Sequence, residues 1–294
     1  MATFNQNKWL AMVLKSFVNT DEDFLKTIFG FIDVKENDKI TIPVFGVDID
    51  DVQTDSGDTV FVSPDQTAIE IATKDEVFLG ISFLRKTALS TNINLFTESA
   101  MEMGKVLKKK LALLVRNNMV DGVATANKYT YDTATGGTAV TAINHKMVLK
   151  AHEVLDLLEV PLEDRMLIIK PSMRSDLVNM EDNKGNLLFI SNAQLGDEIV
   201  YKGQIGMVDG FRVMLKTLPK VDESGNIHAT PGNNTRDCIL FYHKSAWVYG
   251  AEKSIFTRDE FNTTSRQWQL FTSLFKGDGA IHDTHMVQIR QNDA

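Results

Sequence analysis

A single cysteine, Cys238, stands in a chain of 294 residues. It excludes an intrachain disulfide and any zinc site built on cysteines, and it fits a reducing compartment. No apolar run approaches the roughly 20 residues that a membrane-spanning helix needs. The opening MATFNQNKWLAMVLKSF has neither a basic leader nor an uninterrupted apolar core, so a secretory signal is not expected and a cytoplasmic product is. The six prolines are scattered, and no repeat or low-complexity tract interrupts the sequence. Positive charge is in deficit. Lys and Arg number 31 against 39 Asp and Glu, a formal net charge of -8, which argues against a dedicated nucleic-acid binder while leaving room for a local basic patch.

Signatures of catalysis are missing as well. There is no GxSxG elbow, no HExxH pair and no dinucleotide fingerprint. The glycine pair Gly136-Gly137 within residues 129–141 is not followed by the lysine and hydroxyl residue of a phosphate-binding loop, so that stretch is expected to be plain loop. The carboxylate pairs Asp50-Asp51 and Glu163-Asp164 lie in polar stretches, without the burial that raises a pKa for acid-base work. Asp48, Asp50, Asp51, Asp55 and Asp58 crowd together as calcium ligands do. They lack the central glycine and closing glutamate of a calcium loop, so a solvated acidic loop is expected.

His282 and His285, with Asp283, make the best metal candidate. Placed on a strand, residues three apart point to opposite faces, so the imidazoles are expected to diverge. His145, His228 and His243 stand alone, and His152 lies near the apolar stripe of a helix, as a satisfied boundary residue does. Cys238 opens an apolar strand and reads as an inert buried thiol. No catalytic, metal or cofactor site is assigned, and no cofactor is expected.

What the chain does have is patterned structure of both kinds, an α+β order. Residues 6–29 carry Leu10, Val13, Leu14 and Phe17, then Phe24, Leu25 and Ile28, at helical spacing, with Thr20-Asp21 as a second start signal. Two short helices are expected, either joining the core or forming an arm that buries Trp9, Phe17 and Phe29 against a neighbouring subunit. From residue 39 to 83 the period becomes two, through Ile40, Ile42 and Val44, Val60 and Val62, and Ile69 and Ile71. Residues 94–120 then place Ala100, Met103, Leu107, Leu111, Leu114 and Val115 on one helical stripe, long enough to act as a strut of about 40 Å. Lys105, Lys108, Lys109 and Lys110 form a candidate DNA-facing patch on it. The plainer reading, a solvated face with Glu102 pairing Lys105, is preferred.

A second amphipathic helix, capped by Asn144, runs to Leu158 with Val148, Ala151, Leu155 and Leu158 inward. RMLIIKP then reads as a buried strand followed by a proline-started helix over residues 172–178. Residues 203–219, GQIGMVDGFRVMLKTLP, read as a tight hairpin in which Asp209-Gly210 supplies the positive φ angles of a two-residue turn. A strand over residues 238–242 follows. In the tail, runs 267–275 and 280–290 are expected to fold back on each other at Lys276-Gly277-Asp278-Gly279.

The glycines at 203, 206 and 210, the aromatic Phe211 after the turn and the closing Leu218-Pro219 resemble a recurrent segment of tailed-phage major capsid proteins, the Hong Kong ninety-seven type fold. The order of parts is similar along nearly the full length. The resemblance implies an N-terminal arm over residues 1–35, an extended two-stranded E-loop over 36–88, and a P-domain over 89–140 with a spine helix at 94–120. It further implies an A-domain over 141–257 and a C-terminal β-hairpin over 258–294 returning to the P-domain. It implies a structural protein, not an enzyme, that forms pentamers and hexamers in an icosahedral virion head around double-stranded DNA. The spine begins fewer than a hundred residues from Met1, so a separate scaffolding protein is implied. Portal, decoration protein and packaged DNA are the other partners implied, with the chain made in the host bacterial cytoplasm. Some relatives join subunits through a Lys-Asn isopeptide bond; Lys74 lies in the E-loop stretch, but no motif identifies a partner, and that chemistry is not carried over. An encapsulin-like nanocompartment shell is the alternative within the same fold, and a metal-dependent hydrolase using His282 and His285 the enzymatic one. The physics agrees with a shell: an isolated two-stranded excursion is marginal in water, whereas laid over a neighbour it could contribute to an interface of about 800 Å² per partner.

Overall fold

The computed structural model describes residues 6–20, 23–32, 39–46, 65–72, 75–84, 95–137, 140–181, 185–191, 194, 204–228, 235–251 and 255–292. The acidic run from Asp48 to Asp58, the Val60 strand, Lys74 and Gly203 lie outside them.

The long apolar stripe becomes α2, Leu95–Asp121, and Ala100, Met103, Leu107, Leu111, Val115 and Met119 along it are fully buried. Against it lies α1, Gln6–Asn19, whose Val13 is fully buried and whose Leu10, Met12, Leu14 and Phe17 pack onto the same core. The expected second helix is a single 3-10 turn, Asp23–Thr27. Phe24, Leu25 and Ile28 are buried as their spacing suggested, but the chain then enters β1, Phe29–Ile32, which pairs in parallel with β11, Trp247–Ala251. A strand partner more than two hundred residues away overrides the local helical period.

The extended region supplies β2, Lys39–Gly46, β3, Asp65–Ala72, and β4, Asp75–Leu84. β2 and β3 pair antiparallel, Ile40 opposite Ile71 and Ile42 opposite Ile69, as a two-stranded sheet of their own. β4 instead joins a five-stranded sheet centred on β13, Gln267–Ala280. There β12, Phe256–Asn262, and β11 lie along the other side of β13, and β1 continues beyond β11.

The remaining strands form a seven-stranded sheet in the order β5, β14, β10, β6, β9, β8, β7. These are β5, Lys128–Thr130, β6, Arg165–Ile169, β7, Phe189–Ser191, β8, Gln204–Val208, β9, Phe211–Leu215, β10, Cys238–His243, and β14, Met286–Arg290. Both faces are covered. Met166 and Ile168 of β6 and Leu240 and Tyr242 of β10 join the α2 core, while Leu167, Ile169, Ile239 and Phe241 face a second core. That core holds Met147, Val148, Ala151 and Leu155 of α4, His145–Leu157, and Leu177 of α5, Arg174–Val178. Burial on both faces explains why RMLII is buried at every position and why Met166 to Ile169 read as a continuous apolar run after Arg165.

The two-residue turn forms as its sequence requires, with Asp209 at φ 46° and Gly210 at φ 82°. Gly210→Val places a β-branched residue in that left-handed region and should destabilise the chain by about 1–3 kcal/mol. Gly210→Asn, which tolerates the region, should recover most of the loss in a denaturant melt. Asn144 caps α4, its side chain accepting from the Met147 N–H at 3.2 Å, but the helix stops at Leu157 and leaves Leu158 exposed, not inward.

Two further expectations are corrected. Residues 129–141 are not plain loop. They contain the end of β5 and α3, Tyr131–Ala134, started by a capping box between Thr130 and Thr133. Nor does the tail fold back at KGDG. β13 runs unbroken through it, paired with β4 up to Lys276 and with β11 from Lys276 to Ala280. The hairpin of this region is β12–β13, and β14 leaves for the other sheet.

Candidate assembly surfaces

The two-stranded β2–β3 sheet is held at its base by Ile71, which is buried beside Val248 with Ile69 and Ile281 against them. Its pairing continues away from that anchor to Gly46 opposite Asp65. A two-stranded ribbon leaves the outer edge of each strand without a strand partner among the described residues.

A second surface lies on the five-stranded sheet. Residues of β4 alternate, with Val77, Leu79, Ile81 and Phe83 packed into the α2 core. The opposite face carries two cross-strand rows, Phe78–Ser273–Phe256 and Gly80–Phe271–Arg258. Phe78 is 66% and Phe256 57% exposed. Phe271 stacks on Phe78 with ring centroids 6.0 Å apart and helps line an open depression of about 320 Å³ with Phe256, Arg258, Glu260 and Gln269. Solvent-facing phenylalanines gathered on one sheet face mark a contact surface more often than an accident of packing. The signal was hard to read in sequence, because Val77-Phe78-Leu79 is apolar on both faces and the rows join only through β13.

The arm residues divide. Phe17 is half-buried against α2 of its own chain, Phe29 is 43% exposed at the sheet edge, and the side chain of Trp9 lies outside the described residues. The spine lysines divide too. Lys108 donates to the Val18 carbonyl at 3.1 Å and lies 5.7 Å above the Phe17 ring, tying α1 to α2. Lys105 pairs with Glu102 at 3.7 Å, and Lys109 and Lys110 are exposed.

The histidine expectations are half met. His152 is satisfied at a boundary, with Nδ1 3.0 Å from the Arg165 guanidinium, Nε2 2.5 Å from the Asp209 carbonyl and its ring on Phe211. His282 and His285 do not diverge. His282 precedes and His285 closes a 3-10 turn, Asp283–His285, instead of lying on a strand, and their rings stack with centroids 4.5 Å apart. Among the described residues no group of three His, Cys, Asp or Glu is arranged to hold a metal ion. Cys238 is buried, and burial pushes its thiol up to about 12, which keeps it protonated and inert. No helix among the described residues is long and apolar enough to cross a membrane.

Neither a protein-family model nor a curated protein sequence matches the chain. Solved structures do. The capsid of Ralstonia phage GP4 superposes with a TM-score of 0.65 at 14% identity, covering 94% of this chain and 89% of its own. The capsid of cyanophage P-SCSP1u gives 0.61 at 14% identity, covering 91% and 87%. The mature capsid of bacteriophage PhiM1 gives 0.59 at 12% identity, covering 92% and 87%. With sequence identity this low the likeness is one of fold, and the chain has the phage-capsid fold of the Hong Kong ninety-seven type.

Proposed function

We propose that the chain is the major capsid protein of a tailed phage, a structural subunit and not an enzyme. Its pentamers and hexamers tile the icosahedral head around double-stranded DNA. The observation that carries this reading is the match to phage capsids over more than nine-tenths of the chain, supported by the phenylalanine face that the subunit leaves exposed. On this reading residues 1–35 form the arm, 36–88 the E-loop, 89–140 the P-domain with α2 as spine, and 141–257 the A-domain. Residues 258–294 return the chain through β13 to the spine and through β14 to the A-domain sheet. Scaffolding protein, portal and decoration protein are the partners this role calls for, and the chain, made in the host cytoplasm, ends in the virion. Lys105, Lys109 and Lys110 are the residues of the spine patch left to meet packaged DNA, through salt-sensitive contacts that read no sequence.

Expression with and without a co-expressed scaffold, followed by sedimentation and electron micrographs, tests the proposal. Closed shells are expected in at least one condition; small compact oligomers under every condition would overturn it.

The Phe78–Phe256 face then meets a neighbouring copy. Phe78→Asp combined with Phe256→Asp should leave the melting midpoint nearly unchanged, because both side chains are exposed in the subunit. The concentration at which shells appear should rise at least tenfold, since buried aromatic anchors each contribute about 2 kcal/mol to an interface. Unchanged assembly would remove this face from the contact.

A further inference from the structure

Three connections carry the chain between the two large sheets: α2 to β5, β10 to β11, and β13 to β14. They meet at one place. The Ala246 carbonyl accepts from the Ile281 and His282 N–H groups at 2.9 and 3.2 Å. Asn127 donates to the Thr284 and Met286 carbonyls at 2.8 and 3.1 Å. At the centre, Ser245 Oγ lies 2.7 Å from His243 Nδ1 and 3.1 Å from His285 Nδ1.

Counting protons fixes the state of this bridge. The Ser245 N–H donates to His243 Nδ1 at 3.2 Å, so that nitrogen carries no proton, and the hydroxyl hydrogen of Ser245 can turn toward it as well. Ser245 Oγ then accepts from Nδ1–H of His285. His243 is neutral in this arrangement, and His285 is the donor of the second bond. A proton added to His243 Nδ1 would face the Ser245 N–H, donor against donor. A proton added to His285 would charge a ring stacked on His282 and 6.5 Å from His243.

We propose that the His243–Ser245–His285 bridge is a proton-sensitive hinge, which locks the two sheets together while its imidazoles are neutral and releases them on acidification.

The surroundings set the direction. Burial is the leading cause for both rings. It holds His243 below the usual imidazole range, with Arg165 and Lys244 acting the same way and the Glu163 backbone hydrogen bond and Asp164 opposing. Burial, His282 and His243 push His285 down to about 4, with Asp283 opposing. Groups held neutral by the fold contribute stability above the ordinary histidine value of 6.5, and that contribution is lost as pH falls toward 4.

Amide exchange, corrected for the intrinsic effect of pH, tests the hinge. In the unaltered chain, peptides covering residues 244–247 and 281–286 should lose protection at least tenfold between pH about 7 and about 4.5, while peptides from β6 and α2 keep theirs. His243→Asn with His285→Asn keeps one acceptor and one donor for Ser245 but cannot titrate, so its joint should hold protection over the whole window. Should that variant not fold, Ser245→Ala must show an unprotected joint already at neutral pH, with little further change in acid. The proposal is overturned by an unaltered chain without a pH response at the joint, by an equal response in the double variant, by loss spread evenly over both sheets, or by a Ser245→Ala joint that remains protected.

Discussion

Gly104→Leu should strip α1 from α2. A Cβ at Gly104 would lie within 3.0 Å of the Val13 carbonyl, the Phe17 nitrogen and Ser16 Cβ. Two of these are backbone atoms that cannot swing aside. The helices approach closely here because position 104 has no side chain, and Ser16 Oγ donating to the Met101 carbonyl clamps the same crossing. Overpacking against backbone should cost about 3 kcal/mol or more, against a gain of about 1 kcal/mol from replacing a helical glycine. The sign is therefore diagnostic. If α1 sits as described, amide protection over residues 6–19 collapses and the chain is destabilised; if it sits elsewhere, Gly104→Leu stabilises α2. On the proposed capsid role, a chain with α1 released in this way should also assemble poorly.

Asp278→Ala should be the second severe substitution. Lys276 is 2% exposed, and its ammonium lies 2.6 Å from Asp278 and 3.2 Å from the exposed Asp75. The Asp278 carboxylate is equally buried and also accepts from Asn118 of α2 at 3.0 and 3.1 Å. Removing it leaves a buried ammonium with one solvent-facing partner, at a cost of about 3–5 kcal/mol. Replacing both residues, Lys276→Met with Asp278→Leu, should recover most of that loss, since no uncompensated charge remains. Denaturant midpoints of the single and double variants measure the coupling directly, and additive losses would contradict it.

This same pair explains where the sequence misled. KGDG has the composition of a turn, and its glycines argue locally for a break. Lys276 and Asp278, two residues apart, lie on one side of a strand and satisfy each other, and β4 and β11 pair with that stretch from distant parts of the chain. Nothing local records those partners. Elements with local causes were legible: the α2 stripe faces one core, Asp209-Gly210 fixes a turn by conformation alone, and the Met166–Ile169 stretch is apolar throughout because both its faces are covered. HDTH was misplaced for the same reason as KGDG. Its turn exists because Ala246 and Asn127 bind it across the junction, and only that fold brings His243 and Ser245 alongside His285. The exposed phenylalanine face was likewise hidden, since β12 meets β4 only through β13.

Symmetric reconstruction by electron cryomicroscopy of particles formed by this chain decides whether it builds a capsid shell. Closed icosahedral shells with five-fold and six-fold clusters are expected, the β2–β3 ribbon and the Phe78–Phe256 face each covered by a neighbouring copy. Particles lacking those clusters, or subunits whose two surfaces face solvent in the assembled state, would contradict the capsid role.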